Sequence, residues 1–273
     1  MAKLDVGVLV GLVASPADEI RRVADFGLNC CQVVTWNPDL YTDAVGEALV
    51  AAADEFGVAI TTLWAGYPGP AVWNFTEGPK TIGLVPDQFR DVRVRALQAG
   101  ARFAAKFGLD SITTHVGFIP EDPNDPAFAG TVAALAQVVA VCREVGVEFR
   151  FETGQETPVT LLRTIERLGD ENVGVNLDTA NLILYGKANP VDALDVFGRY
   201  VHGVHAKDGL YPTDGTSLGR EVPLGEGKVD FATLIARLKG LGYAGSLTIE
   251  REISGPQQQQ DIAAAVKYLR ALC

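Results

Sequence analysis

Short apolar runs recur eight times along the chain and alternate with segments of helical periodicity. The runs are rich in β-branched residues and are bounded by turn residues, which is typical of buried strands. They are DVGVLVGLV, LNCCQVVTW, VAITTLW, DSITTH, VEFRFE, VGVNLD, YVHGVHAK and GSLTIE. Between them the pattern predicts helices that mostly stop at a glycine, a common helix terminator. These helices are Asp43–Phe56, Arg90–Phe107, Ala127–Val145, Thr157–Leu168, Phe231–Lys239 and Asp261–Leu272.

Strict alternation of eight strands with helices predicts an α/β fold, a closed (β/α)8 TIM barrel. The 273 residues suit one such barrel, which typically needs about 250 residues. We therefore expect residues 1–273 to form a single domain. The alternative is an open, doubly wound sheet. The turn after the first strand lacks the G-x-G-x-x-G loop of a dinucleotide-binding sheet, and the chain contains no P-loop.

The start of the chain allows two interpretations. Lys3 and the apolar run after it resemble a short signal peptide. Asp5 interrupts that run, and Ser15 before Pro16 is a good helix cap, so a first buried strand is the favoured interpretation. The two longest insertions are residues 66–86, a candidate lid after the third strand, and residues 209–227.

Composition excludes several classes of function. The net charge of −11, without a basic stripe, argues against a nucleic-acid partner. No uninterrupted apolar run reaches the 18 or so residues of a membrane span. Four cysteines without C-x-x-C spacing are too sparse for a disulfide framework and favour a cytoplasmic protein.

Ionisable and aromatic side chains stand at the ends of the predicted strands. In closed α/β barrels the catalytic groups lie at these carboxyl ends. The second to eighth strands end in turn at Trp36, Trp64, His115, Glu152, Asp178, His205 and Glu250. Five consecutive strands thus bring an ionisable side chain to one rim, where buried strands would otherwise be apolar.

The three carboxylates among these residues predict a metal site. Taken alone, Asp178 is also consistent with a helix cap, and His205 with a hydrogen-bonded core histidine. Alternation places Arg251 on the opposite face from Glu250. Clustered carboxylates repel one another, and a divalent cation relieves that repulsion. The oxygen-rich ligand set suits Mn²⁺ or Mg²⁺, and the imidazole also admits Co²⁺ or Zn²⁺.

Several segments resemble the sugar phosphate isomerase/epimerase family, the xylose isomerase-like TIM barrels, which include ketose 3-epimerases and inosose dehydratases. The segments are FETGQETP, NLDTANLILYG, VHAKDG, PLGEGKVDF and LTIERE. The resemblance implies that Glu152, Asp178, His205 and Glu250 bind a divalent metal, with Mn²⁺ favoured. It also implies that Glu152 and Glu250 are the catalytic base and acid on the two sides of the substrate.

The implied reaction is isomerisation or epimerisation of a ketose or related keto-polyol. A proton leaves the carbon next to the carbonyl, and a metal-stabilised enediolate forms. The alternative is a lyase or dehydratase that uses the same metal and glutamates. A small sugar or polyol is then the partner, and related enzymes are often dimers or tetramers.

Six further residues are candidates for substrate binding: His115, Glu156, Lys207, Arg220, Trp36 and Trp64. Each has a simpler alternative, such as a solvated residue for Glu156 and Arg220, or core packing for Trp64. Trp73 is a further wall candidate, and His202 faces away and is structural. Three rival functions remain: a Schiff-base aldolase using Lys207, a DNA-repair nuclease, for which three histidines are few, and a non-catalytic sugar-binding barrel.

Overall fold

The computed structural model describes residues 3–273, and its central feature is a closed barrel of eight parallel strands. The barrel strands are β1 (Val6–Gly11), β2 (Cys30–Thr35), β3 (Ala59–Ala65), β4 (Ser111–Thr114), β5 (Glu148–Glu152), β6 (Val173–Asp178), β7 (Val201–Ala206) and β10 (Leu247–Ile249). Strand β1 pairs with both β2 and β10, which closes the ring. The predicted (β/α)8 barrel is confirmed, and the N-terminal apolar run forms its first strand.

A two-stranded antiparallel hairpin follows β7 and was not predicted. It consists of β8 (Asp208–Leu210) and β9 (Arg220–Val222), with Gly209 opposite Glu221. Strands of three residues are too short to give a periodic signal. The hairpin lies inside the predicted 209–227 insertion and gives that insertion a fixed base beside the barrel mouth.

Ten helices connect the strands within residues 3–273. They are α1 (Ala17–Asp25), α2 (Asp43–Phe56), α3 (Gly78–Thr81), α4 (Asp87–Lys106), α5 (Pro126–Val145), α6 (Pro158–Leu168), α7 (Asn181–Leu184), α8 (Pro190–Phe197), α9 (Phe231–Gly240) and α10 (Pro256–Leu272). The predicted stops of α2, α5 and α6 are confirmed, because Gly57, Gly146 and Gly169 each adopt the left-handed conformation that ends a helix.

Several helix boundaries differ from the prediction, and α4 begins three residues before its predicted start. Ser15 does not cap α1; Pro16 takes the cap position in a helical conformation, without a side-chain hydrogen bond. Helix α9 includes Gly240, and the positive φ lies at Gly242. Helix α10 begins at Pro256, so the glutamine run is helical. Helices α7 and α8, between β6 and β7, were missed because each is at most eight residues long.

Two kinds of side chain fill the interior. Apolar residues pack between the barrel and the helices, among them Val33, Leu63, Phe149, Leu177 and Leu234. A second set is polar and hydrogen-bonds across the barrel, as Gln32 does with Asn176 and Thr62 with Ser111. The barrel interior is therefore polar below the mouth, where the functional side chains lie.

Helix α5 is long and apolar enough to cross a bilayer by length and composition, which the sequence prediction did not anticipate. Its buried residues, including Phe128, Leu135 and Val138, are part of the hydrophobic core. Burial against the barrel accounts for that apolar face.

Candidate metal and active site

Four of the predicted rim residues converge at the carboxyl end of the barrel. Glu152 and Asp178 are the last residues of β5 and β6, and Asp178 lies opposite His205 in the β6–β7 register. Glu250 follows β10, and its backbone N–H still donates to Ala206 of β7. One ligand atom from each of these four residues lies within 4.8 Å of the other three.

The His205 ring is the centre of this cluster. Its Nδ1 atom lies 3.0 Å from Glu152 Oε1 and 3.0 Å from Glu250 Oε2, and 4.0 Å from Asp178 Oδ2. A ring nitrogen carries one proton at most, so Nδ1 can donate to only one of these oxygens. His205 and Asp178 are fully buried and Glu152 nearly so.

A divalent cation fits this group of side chains. Within residues 3–273, the buried Asp178 Oδ2 has no hydrogen-bond partner, and an unsatisfied buried carboxylate oxygen is costly. Burial, together with the charges of Glu250 and Glu152, raises the pKa of Asp178 well above its usual range. Three carboxylates and one imidazole are donors that Mg²⁺ and Mn²⁺ accept.

Lys207 supplies a positive charge at the edge of the cluster. Its Nζ lies 3.5 Å from Asp178 Oδ2, 3.6 Å from Glu250 Oε2 and 3.0 Å from Glu252 Oε1. Burial disfavours the ammonium, but these three carboxylates outweigh burial and raise the pKa of Lys207 well above its usual range. A Schiff-base lysine needs a lowered pKa, so this environment argues against the aldolase alternative.

Glu152 is held by two aromatic side chains. The Trp64 indole N–H donates to Glu152 Oε2, and His115 Nε2 lies 3.9 Å from Oε1. Trp64 is buried, so its indole orients the glutamate as well as packing in the core. Burial lowers the pKa of His115, which keeps this ring neutral beside the carboxylate.

Asp178 combines the two roles considered for it. Its Oδ1 accepts hydrogen bonds from the backbone N–H groups of Ala180 and Asn181, at 2.9 Å and 2.7 Å. The aspartate therefore caps the turn that begins α7. This cap fixes the carboxylate and leaves Oδ2 directed to the cluster, so capping and metal binding are compatible.

Two cavities open beside the cluster. One of about 320 Å³ is lined by Trp73, His115, Asn181, Leu184, Tyr185, Leu218 and Glu252. Another of about 460 Å³ includes Trp36, Glu250 and Glu252 in its lining. Trp36 packs against Trp64 and Trp73, with ring centroids 4.9 Å and 6.0 Å apart. Aromatic faces beside polar groups are typical walls of a small-molecule site.

The remaining predicted residues differ in their placement. Glu156 is buried, not solvated, and burial raises its pKa to about 8. Arg220 lies exposed on β9 and makes no side-chain hydrogen bond or ion pair within residues 3–273. His202 is at the opposite end of β7 from the mouth and contacts Glu148, in agreement with a structural role.

The sequence analysis missed several polar residues that support the site. Gln32 Oε1 lies 2.9 Å from His205 Nε2, and Asn181 Oδ1 lies 3.4 Å from Lys207 Nζ. Gln32 stands in the middle of the run CCQVVT, and a lone amide in a buried strand is a signal that could have found it.

Asp208, also missed, organises the loop after β9. Its buried carboxylate accepts from the backbone N–H groups of Gly209, Gly225, Gly227 and Val229, at 2.9–3.1 Å. A Cβ at Gly227 would lie 2.0 Å from Asp208 Oδ1, so the PLGEG segment needs glycine there. The segment is therefore a fixed part of the rim.

The segment 66–86, predicted as a lid, is anchored from below. Arg93 is fully buried and donates to the carbonyl oxygens of Pro68, Pro70 and Gly83, at 3.2, 2.7 and 2.6 Å. Its guanidinium also stacks over the Tyr67 ring, 4.4 Å from the centroid. This segment carries Trp73 to the mouth.

The fold and the site define a parallel α/β barrel with a carboxylate-rich centre that could hold a divalent ion. The sequence model of the xylose isomerase-like TIM barrel family matches residues 20–272. The chain is 33% identical to a solved xylose isomerase domain protein from Planctomyces limnophilus, with 99% of this chain and 98% of the other covered and a TM-score of 0.93. The chain belongs to the xylose isomerase-like TIM barrel family.

Two more distant solved structures share the fold. One is a xylose isomerase-like TIM barrel protein from Mycobacterium smegmatis in complex with magnesium, 17% identical, with a TM-score of 0.73 and coverage of 99% and 96%. The other is D-psicose 3-epimerase with D-tagatose from Clostridium cellulolyticum H10, 16% identical, with a TM-score of 0.72 and coverage of 98% and 99%.

Proposed function

We propose that the chain is a metal-dependent isomerase or epimerase that acts on a ketose or a related keto-polyol. One observation carries the proposal: Glu152 on β5 and Glu250 after β10 approach the same nitrogen of His205, each at 3.0 Å. Strands β5 and β10 are separated in the barrel by β6 and β7, so the two carboxylates approach the reacting carbon from different directions.

The proposal gives each glutamate one role in proton transfer. Glu152 removes a proton from the carbon next to the carbonyl, with its second oxygen held by Trp64. Glu250, beside Lys207, holds or returns a proton on the other face. Reversal of configuration needs an acid and a base on opposite faces, and a matched pair contributes roughly 10²–10⁴-fold to the rate.

We propose that Glu152, Asp178, His205 and Glu250 hold the divalent ion, and that this ion is Mn²⁺. The magnesium complex of the Mycobacterium smegmatis relative supports a hard cation in this fold and keeps Mg²⁺ as the alternative. When bound, the ion supplies Lewis acidity that stabilises negative charge on the substrate's carbonyl oxygen.

The remaining candidates differ in how they act. His115 and Trp36 line the mouth cavities and would contact the substrate directly. Trp64 and Lys207 would act through the carboxylates that they hold. Glu156 and Arg220 stay candidates for hydroxyl binding. The D-tagatose bound by the Clostridium cellulolyticum relative supports a ketose as the substrate class.

The proposal includes a cytoplasmic location and assembly into a dimer or tetramer. All four cysteines are free, and Cys30, Cys31 and Cys142 are buried thiols. Unpaired thiols are compatible with a reducing compartment.

Exchange of substrate protons with deuterated solvent tests this function directly. The Mn²⁺-loaded protein is incubated with a panel of ketoses and keto-polyols in deuterated water. After removal of the ion, NMR is expected to show deuterium at the carbon next to the carbonyl of one substrate, and an epimer or isomer of it. Glu152→Gln is the matched control and should show no exchange.

The same spectra separate the alternatives. Loss of a hydroxyl or glycosyl group, seen as an unsaturated product, would replace the isomerase proposal with the lyase or dehydratase alternative. Absence of both exchange and product across the panel, in protein shown to contain the ion, would contradict proton abstraction from these substrates.

A further inference from the structure

The two nitrogens of the His205 ring have different surroundings. Nδ1 faces the carboxylates of Glu152 and Glu250, and Nε2 lies 2.9 Å from Gln32 Oε1 in the barrel interior. A carbonyl oxygen only accepts hydrogen bonds, so this contact places the ring proton on Nε2. In the neutral ring, the nitrogen that faces the carboxylates then keeps its lone pair.

A second amide fixes the orientation of Gln32. The Gln32 Nε2 group donates to Asn176 Oδ1 at 3.3 Å, so the Gln32 carbonyl turns to His205. Asn176 in turn relies on a glycine, since a Cβ at Gly203 would lie 2.4 Å from Asn176 Oδ1. Gln32, Asn176 and His205 are each buried, with at most 2% of their surface exposed.

We propose that Gln32 is a positioning residue, which holds His205 in the tautomer that presents an unprotonated Nδ1 to the metal ion. Rotation of the amide would offer an N–H group to Nε2 and would move the ring proton to Nδ1. Gln32, which lies in the barrel interior, thereby determines that Nδ1 of His205 is the atom that faces the metal ion. This inference rests on the proposed metal site.

Three variants test the inference in the full-length protein. Gln32→Met keeps the length of the side chain and removes the carbonyl acceptor. Gln32→Glu keeps an acceptor for His205 Nε2–H, and the unpaired Asn176 Nδ2 is available to donate to its second oxygen. Thr113→Val is the matched control, because it removes an equally buried hydroxyl that, among the described residues, bonds only to the Arg150 carbonyl.

Two measurements apply to each variant: the dissociation constant for Mn²⁺ by calorimetry, and ¹H–¹⁵N spectra of the histidine rings with diamagnetic Mg²⁺ bound. The chain has only three histidines, so the ring signals are readily assigned. Gln32→Met should bind Mn²⁺ about 10- to 100-fold more weakly, the usual effect of losing such a partner of a ligand histidine. Gln32→Glu and Thr113→Val should stay within about threefold of the wild type.

The spectra should show an Nε2-protonated His205 in the wild type and faster exchange of that proton in Gln32→Met. If Gln32→Met does not fold, Asn176→Leu frees the Gln32 amide to rotate and should weaken Mn²⁺ binding about tenfold. Unchanged Mn²⁺ affinity in Gln32→Met or in Asn176→Leu, or equal losses in Gln32→Met and Gln32→Glu, would overturn the positioning role alone. Failure of the wild type to bind either ion would overturn the proposed metal site itself.

Discussion

The two ends of the barrel carry the same types of ionisable residue, glutamate and histidine, but in different charge environments. Strand β5 carries Glu148 at its start and Glu152 at its end, and β7 carries His202 and His205 near its two ends. At the bottom, the Glu148 carboxylate contacts His202 Nδ1 and Arg150 Nε, each at 2.5 Å. At the mouth, the His205 ring is shared among three carboxylates.

The difference lies in the balance of charge and in burial. Burial alone would raise the pKa of Glu148, but His202 and Arg150 outweigh it and lower that pKa. At the mouth, burial and neighbouring carboxylates raise the pKa of Asp178, although Lys207 is close. The bottom pair is satisfied by protein groups, whereas the mouth needs another cation. We therefore expect the reaction to take place at the mouth, where the protein does not fully balance the charge of the carboxylates.

The largest expected effect is loss of turnover in Glu152→Gln. The amide keeps the shape of the side chain but cannot accept the substrate proton, so kcat should fall at least about 10³-fold. Turnover is measured with the substrate found by deuterium exchange, and folding is checked by thermal unfolding.

Glu148→Gln is the matched control at the other end of the same strand. Its kcat should stay within about twofold of the wild type because Glu148 lies outside the mouth. Near wild-type turnover in Glu152→Gln would contradict the assignment of the base, and equal losses in both variants would remove the functional distinction between the two ends.

Removal of the metal should abolish activity and lower the stability of the folded protein. Dialysis against a chelator is expected to stop turnover, and Mn²⁺ should restore it. At an Mn²⁺ concentration 1,000 times the dissociation constant, the free energy of unfolding should rise by about 4 kcal/mol. Calorimetric unfolding with and without Mn²⁺ measures this rise, which should be absent in Asp178→Asn. Activity in metal-free protein would refute the proposed chemistry.

Glu156 gives a pH-dependent prediction at the mouth. Burial raises its pKa to about 8 in the folded protein, above the value near 4.5 in the unfolded chain. Between these values the folded state binds more protons, so stability falls as the pH rises. Glu156→Gln should remove this cost and stabilise the protein by about 3 kcal/mol at pH 7. Urea unfolding should show a much larger gain at pH 8 than at pH 5.

The smallest expected effect is at the bottom of the barrel. The lowered pKa of Glu148 means that its contribution to stability is complete above its unfolded pKa and is lost as the pH falls through its folded pKa. Glu148→Gln should be about 1 kcal/mol less stable than the wild type at pH 7. This difference should shrink in urea unfolding below pH 4. A constant difference at all pH values would contradict the ionic origin of the contribution.

Much of the fold was predictable because strands and helices differ in period. The same reasoning located Glu152, Asp178, His205 and Glu250, since a parallel barrel brings its strand ends to one rim. The environment of the other candidate residues was harder to predict from the sequence. Nothing in the sequence distinguishes the buried Glu156 from the exposed Arg220, because burial depends on how loops fold over the mouth.

Polar residues inside the barrel were overlooked for a different reason. Gln32 and Asn176 lie within runs that the sequence pattern predicts to be apolar strands. They hydrogen-bond to each other although they are 144 residues apart in sequence. The β8–β9 hairpin and the four backbone contacts of Asp208 likewise depend on tertiary pairing. Local patterns cannot report such contacts, although an isolated amide in a buried strand does indicate that one exists.

Arg93 has a consequence for ligand binding at the mouth. Its guanidinium holds three carbonyl oxygens of the segment that carries Trp73, so this wall is ordered before a ligand arrives. Ligand binding then avoids the entropy cost of ordering that loop, a cost that weakens affinity when a binding loop is flexible.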